Sequence, residues 1–346
     1  MRRLVVAISG MNATDNPGPG VGVARSLRQS GFADVRMVGL CYGSLEPGAY
    51  MRDIADVSYL LPFPSEGVSP FLDRLRYIHE KEHIDIIIPN LDAELFIYIK
   101  VRDRLEEMGI HVCLPTIEQF DSRQKHHLPE FGERLGFRVP KSVQCNTVDD
   151  FLSSEGELRY PIMMKGNFYE AYYASYREQA VAYFWSLLAK WGAPVIAQQY
   201  IIGGEFNVVG AGDGKGNLIS CVPMHKQFIT DKGKAWAGVT IKDDQLVEQA
   251  RRFVESTRWM GAFELELLRG EDNFLYLIEI NPRMPAWIYL ATAAGVNIPE
   301  QIVRLALGET PTPCVDYEVG KMFIRYSWDM VVNQSEFGQF SVKGEM

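Results

Sequence analysis

Gly261-Ala262-Phe263-Glu264-Leu265-Glu266-Leu267, a short polar turn, and then Phe274-Leu275-Tyr276-Leu277-Ile278-Glu279-Ile280-Asn281-Pro282-Arg283 make up the stretch that decides the fold. Both halves are strand-like, and Arg269–Asn273 carries the turn signal between them, so the pattern predicts a β-hairpin. Side chains alternate across a strand, which puts Glu264 and Glu266 on one face of the first strand and Glu279 with Asn281 on one face of the second. If the register turns both sets the same way, three carboxylates and an amide oxygen meet. Carboxylates about 4 Å apart repel by roughly 4 kcal/mol at an effective dielectric near 20, so such a cluster calls for a cation or a shared proton. Oxygen donors without His or Cys favour magnesium, with water and phosphate oxygens completing its shell. A solvated strand face is the competing explanation.

Working outward, Val195–Ile202 reads as a strand, Arg177–Lys190 as a long helix with an aromatic face, and Tyr160–Lys165 as another strand. A polar helix is expected over Asp121–Leu135, stopped by Gly136. Nearer the start, Leu4–Ile8, Val35–Leu40 and Ile84–Ile88 read as buried strands, with helices over Val23–Gln29 and Pro70–His83. Strands alternating with helices predict a parallel, doubly wound unit over roughly the first 115 residues. From Glu205 onward the turn signals favour antiparallel strands, and Phe323–Trp328 alternates like a strand suited to a sheet or a homodimer interface.

The chain has 346 residues, 47% hydrophobic and 23% charged, with a net charge of −9. That balance fits a globular protein and argues against a general binder of nucleic acid or anionic membrane, which needs clustered Lys and Arg. Phosphate would therefore be held by a few local cations, amides or metal. Five scattered cysteines suggest neither a disulfide framework nor a thiolate zinc site. With no apolar run approaching a membrane span and no secretory signal, the expected location is the cytoplasm.

Two further motifs match in letters only. His79-Glu80-Lys81-Glu82-His83 has the zinc-protease pattern, yet the second histidine stands where the helix must end, and histidine there complements the dipole. Gly18-Pro19-Gly20-Val21-Gly22 resembles a dinucleotide loop, but it lies too far beyond its strand and no acidic residue closes the second strand.

Glu279-Ile280-Asn281-Pro282-Arg283 resembles the E-x-N-P-R signature of the ATP-grasp enzymes, in the branch of carbamoyl phosphate synthetase and biotin carboxylase. Asp121–Lys125 with Gly136–Pro140, Tyr160-Pro161-Ile162-Met163-Met164-Lys165, and Gln198-Gln199-Tyr200-Ile201-Ile202-Gly203-Gly204-Glu205 resemble further family segments in the family's order, as does Ile88-Pro89 with Asp92-Ala93-Glu94. The resemblance implies an α/β fold, α+β in its C-terminal part. A Rossmann-like pre-ATP-grasp domain (1–118) would precede a small lid subdomain (119–194) and a large subdomain (195–346).

It also implies roles. Lys125 and Lys165 would neutralise phosphates; Gln198, Gln199, Tyr200 and Ile201 would meet adenine; Glu205 would hold the ribose. Glu264 or Glu266, with Glu279 and Asn281, would bind magnesium or manganese. Arg283, with Lys165, would serve catalysis. The implied activity is an ATP-dependent ligase that activates a small-molecule carboxylate as an acyl phosphate for an amine, with an amino acid or peptide as candidate substrate. A catalytically reduced ATP-binding module and a kinase-like phosphotransferase are the alternatives. The aromatic segment Gly166–Tyr173, where the family carries a glycine-rich loop, motivates the first of these. Asn12, Asp15, Asp92, Glu94, His225, Lys226, Gln227 and Trp287 are candidates for the substrate pocket.

Overall fold

The computed structural model describes residues 3–166, 170–230 and 235–346, with the side chain of Glu155 left aside. Strand Leu4–Ser9 lies between Val35–Cys41 and Ile86–Ile88, with Val57–Leu60 outermost, all parallel. Its unbroken apolar run follows from having both faces covered. Val5 and Ala7 pack with Phe71, Leu75 and Ile78 of helix Val68–Glu82 on one side; Val6 and Ile8 pack with Val23 and Leu27 of helix Gly20–Ser30 on the other. Glycine is required at position 20, where a Cβ would stand 2.3 Å from the Ser9 carbonyl oxygen. His83 caps its helix in the left-handed region (φ 56°) and leads directly toward the buried strand.

The helix expected over Asp121–Leu135 is two helices, Ile117–Ser122 and Leu128–Leu135, with Lys125 in the turn between them. Pro129 is the cause: in a continuous helix its ring would collide with the Lys125 carbonyl, whereas the first turn of a new helix accepts it.

A second sheet, in the order Ser142–Cys145, Val195–Gln199, Ile162–Lys165, Ala171–Ala174, has its own core around Phe151, Phe184 and Leu187. Val195–Gln199 is an inner strand here, so the unit expected to end at residue 194 takes in this strand too. The strand expected over Val195–Ile202 stops at Gln199, and Tyr200–Ile202 links to the third sheet.

That third sheet has six strands, in the order Leu275–Asn281, Met260–Gly270, Gly203–Asp213, Leu218–Ile229, Ala235–Thr240, Met322–Ile324. One face, with Val208, Phe263, Leu265, Leu267, Leu277 and Ile280, packs on helices Asp244–Thr257 and Leu128–Leu135. The other face shares a core with the first sheet: Val209, Val222 and Met224 join Trp287, Ile288, Val6 and Val23. The strand expected over Phe323–Trp328 is confined to Met322–Ile324. Helix Gln334–Lys343 then returns to the first sheet, where Met346 exchanges backbone hydrogen bonds with Ser58.

Candidate active site

The hairpin register pairs Glu264 with Asn281 and Glu266 with Glu279. Next along, Leu267 pairs with Leu277, so Ile278 is an extra residue, a β-bulge. The bulge decides the site. Leu277 and Ile280, three apart, both face the core, which turns Glu279 and Asn281 to the opposite face with Glu264 and Glu266. Strict alternation from Leu277 would have driven Glu279 and Asn281 into the core.

Glu264 is buried, and its oxygens accept from Asn207 Nδ2 (2.6 Å), Trp287 Nε1 (2.7 Å) and Asn281 Nδ2 (3.0 Å). Burial, and then the charge of Glu266, push its carboxyl up to about 7. Glu266 accepts from Asn281 Nδ2 (3.0 Å) and from Lys226 Nζ (3.0 Å), which also reaches Glu205 (3.2 Å). Burial would raise Glu266 as well, but Lys226, the Asn281 amide and Arg283 together hold the carboxyl below its ordinary value. Asn281 thus spends its amide N–H groups on Glu264 and Glu266, while its Oδ1 stands 3.3 Å from Arg283 Nη2.

Cations arrive from three elements. Lys125 Nζ lies 3.8 Å from Glu279. Lys165, at the end of its strand in the second sheet, is brought down to about 8 by burial and by the charge of Lys125, against Glu279, Glu266 and Glu205. Arg283 Nε donates to Asp92 Oδ2 at 2.7 Å, and Arg123 approaches the other Asp92 oxygen at 3.6 Å. The N-terminal unit therefore supplies the counterion of the signature arginine.

Gln198 is buried and donates to Ser142 Oγ (2.9 Å), while Gln199 is exposed, pairs with Lys141 and is followed by exposed Tyr200 and buried Ile201. Among the substrate candidates, Glu94 is fully buried. It accepts from Tyr42 Oη (2.5 Å) and the backbone N–H of Asn90 (2.8 Å) and Leu91 (3.0 Å), a bonding pattern that holds the strand ends. Asn12 bonds locally to Asn16, and Asp15 is exposed beside it. His225 stacks on Phe206 with ring centroids 4.6 Å apart, and Gln227 lies 3.0 Å from it. Asn167, Phe168 and Tyr169 of the aromatic segment lie outside the described residues. Asn207, Arg123 and Arg325 were not singled out by sequence, because an isolated polar residue in a strand or turn carries no pattern of its own.

The donor set suits a hard cation. Asn207 Oδ1 is buried without a hydrogen-bond partner, and Asn207 pairs in register with Glu266, which pairs in turn with Glu279. Among the described residues no group of three or more His, Cys, Asp and Glu side chains is placed to hold a metal ion by itself. Two carboxylates and an amide oxygen would leave positions on such a cation for phosphate and water.

Residues 193–326 match the family described as ATP-grasp in the biosynthetic pathway with Ter operon. Over 92% of the chain the structure superposes on the biotin carboxylase domain of Hydrogenobacter thermophilus 2-oxoglutarate carboxylase, solved with MgADP, ADP and bicarbonate. The TM-score is 0.71, with 17% identity and 73% of that chain covered. The fold is the ATP-grasp fold. L-amino acid ligase from Bacillus licheniformis shares the ATP-grasp architecture at TM-score 0.68 and 15% identity, over 90% of this chain and 76% of that one. In sequence the chain is similar to the carbamoyl phosphate synthase large chain of Clostridium beijerinckii, 23% identical over 279 residues and 74% of this chain. The match takes in only 24% of that relative's length. No helix among the described residues is long and apolar enough to cross a membrane.

Proposed function

We propose that the protein is an ATP-dependent ligase that phosphorylates a small-molecule carboxylate and passes the acyl group to an amine, with release of ADP and phosphate. The observation carrying this reading is the meeting of Glu266, Glu279 and Asn281 with Lys125, Lys165 and Arg283 at the junction of all three sheets. Phosphoryl transfer asks a protein mainly to position reactants and neutralise charge, and these side chains are of the types that do so.

In this reading Glu266, Glu279 and the Asn281 oxygen hold magnesium, or manganese. Glu264 does not: buried and engaged by three N–H donors, two of them on Oε1, it orients Asn281. Bound there, the metal would screen and orient the phosphates. Lys125 and Lys165 neutralise phosphate oxygens, and Arg283, fixed by Asp92, steadies the transferred group. The Gln199–Ile201 link, between the second and third sheets, receives adenine, and Glu205 the ribose hydroxyls. Residues 1–118 act as the Rossmann-like pre-ATP-grasp domain, the second sheet as the lid and the third as the large subdomain. The net charge of −9 and the spread of its cations favour an enzyme of small molecules over a nucleic-acid binder.

Calorimetry with ATP, with and without magnesium, tests the reading in the wild type and in Glu279→Ala. Tighter binding with magnesium, lost in the variant, is the expected result. Wild-type protein that binds ATP no better with magnesium than with chelator would overturn it.

A further inference from the structure

Arg325 follows the edge strand Met322–Ile324 of the six-stranded sheet. Lys226 pairs with Gly238, and Gly238 with Phe323, so Phe323 lies on the sheet face that carries Lys226. Phe323 packs into the same core as Met224, Met284 and Trp287. Two residues on, Arg325 shares that face. It stands four places along the sheet from the strand of Glu264 and Glu266, on the far side of Lys226 from the phosphate-facing lysines.

Its surroundings are unusual for an arginine. The backbone N–H of Arg325 donates to the Trp236 carbonyl (2.9 Å), and Nε donates to the Ala235 carbonyl (2.8 Å), which aims the guanidinium. Among the described residues it makes no ion pair, whereas Arg283, Lys125 and Lys226 on this side each meet a carboxylate. Burial pulls its pKa down, and the field of Glu264 acts in the opposite sense, which ties the group to the site face. The guanidinium also lies over the Phe323 ring, 5.4 Å from its centroid, and a half-buried guanidinium held by a ring and one nitrogen presents its remaining N–H groups as a fork suited to a carboxylate.

We infer that Arg325 binds the carboxylate of the second, amine-bearing substrate, which makes that substrate an amino acid or a peptide with a free C-terminus. The inference rests on the ligase reading above. It deepens that reading because Lys125, Lys165 and Arg283 already serve the phosphates and the carboxylate being activated, leaving Arg325 for a separate anion.

The test is calorimetry on the full chain saturated with MgADP, titrated with a panel of common L-amino acids and glycine, each paired with its C-terminal amide. At least one acid is expected to bind, with its amide weaker by about tenfold or more, the worth of one charge-assisted hydrogen bond. Arg325→Gln should lose the acid by a similar factor while keeping MgADP affinity and melting temperature, and Arg325→Lys should restore part of it. Acid and amide binding alike, no acid binding, or unchanged binding in Arg325→Gln each overturn the assignment. Parallel loss of MgADP affinity in both variants also overturns it, because Arg325 then serves the phosphates. Failure of MgADP to bind the wild type removes the ligase reading instead, and an acid that still binds through Arg325 would leave an anion site standing by itself.

Discussion

Arg283 and Asp92, 191 residues apart in sequence, are joined by an Nε to Oδ2 hydrogen bond of 2.7 Å. The bond crosses from the six-stranded sheet to the first helix turn after strand Ile86–Ile88, so the pose of the signature arginine depends on the N-terminal unit. Both side chains are mostly buried, at 19% and 23% exposure. Asp92→Asn keeps the shape and removes the charge. MgATP affinity, read by calorimetry, should fall by about tenfold, the worth of one hydrogen bond to a charged group. Unchanged affinity would mean that Arg283 is positioned by something else.

Glu279 and Glu264 should separate cleanly as variants. Glu279→Gln removes a metal carboxylate and should abolish the magnesium dependence of nucleotide binding. Glu264→Gln lets the amide oxygen keep the Asn207 and Trp287 donors but turns an NH2 toward the N–H of Asn281. It should destabilise the fold by about 1–3 kcal/mol and weaken metal affinity by roughly 10–100-fold, as orienting partners do. Denaturant melts and magnesium titrations measure the two effects.

Lys165 gives the pH dependence. Its pKa is about 8 in the folded protein against an ordinary 10.5, so between those values the unfolded chain binds the extra proton. Stability therefore rises with pH across about 8 to 10.5, the reverse of a salt-bridged lysine, and below about 8 the native state carries the full cost of charging it. Nucleotide phosphates favour the charged form, so MgATP binding near pH 8.5 should take up protons. Calorimetry in buffers of different ionisation heat measures the uptake, and Lys165→Met should remove it.

The bulge at Ile278 makes a paired prediction. Deleting Ile278 restores plain alternation with Leu277 and Ile280 inward and Glu279 and Asn281 outward, so the protein should fold and bind MgATP. Inserting one alanine after Ile278 keeps Glu279 and Asn281 on the outward face but, with Leu277 held in place, slides Glu279 opposite Glu264 and Asn281 opposite Ala262, so the protein should fold and lose MgATP binding. Circular dichroism and nucleotide titration distinguish the two.

Local pattern alone was enough for several elements. The apolar run Leu4–Ile8 had to be a strand covered on both faces, the Gly261–Arg283 hairpin followed from alternation and its turn, and the E-x-N-P-R resemblance gave Glu279, Asn281 and Arg283 their candidate roles. Pro129 was a legible break signal that the reading of one helix over Asp121–Leu135 passed over. The tertiary structure decided what no local pattern contains. The bulge at Ile278 sets which way the carboxylates face, because register is a property of two strands. Lys226 bridges Glu205 and Glu266, and Asp92 holds Arg283, because long-range contacts depend on how the sheets pack. The question of Glu264 or Glu266 opposite Glu279, open in the sequence, closes on Glu266 for the same reason: one inserted residue shifts every pairing beyond it.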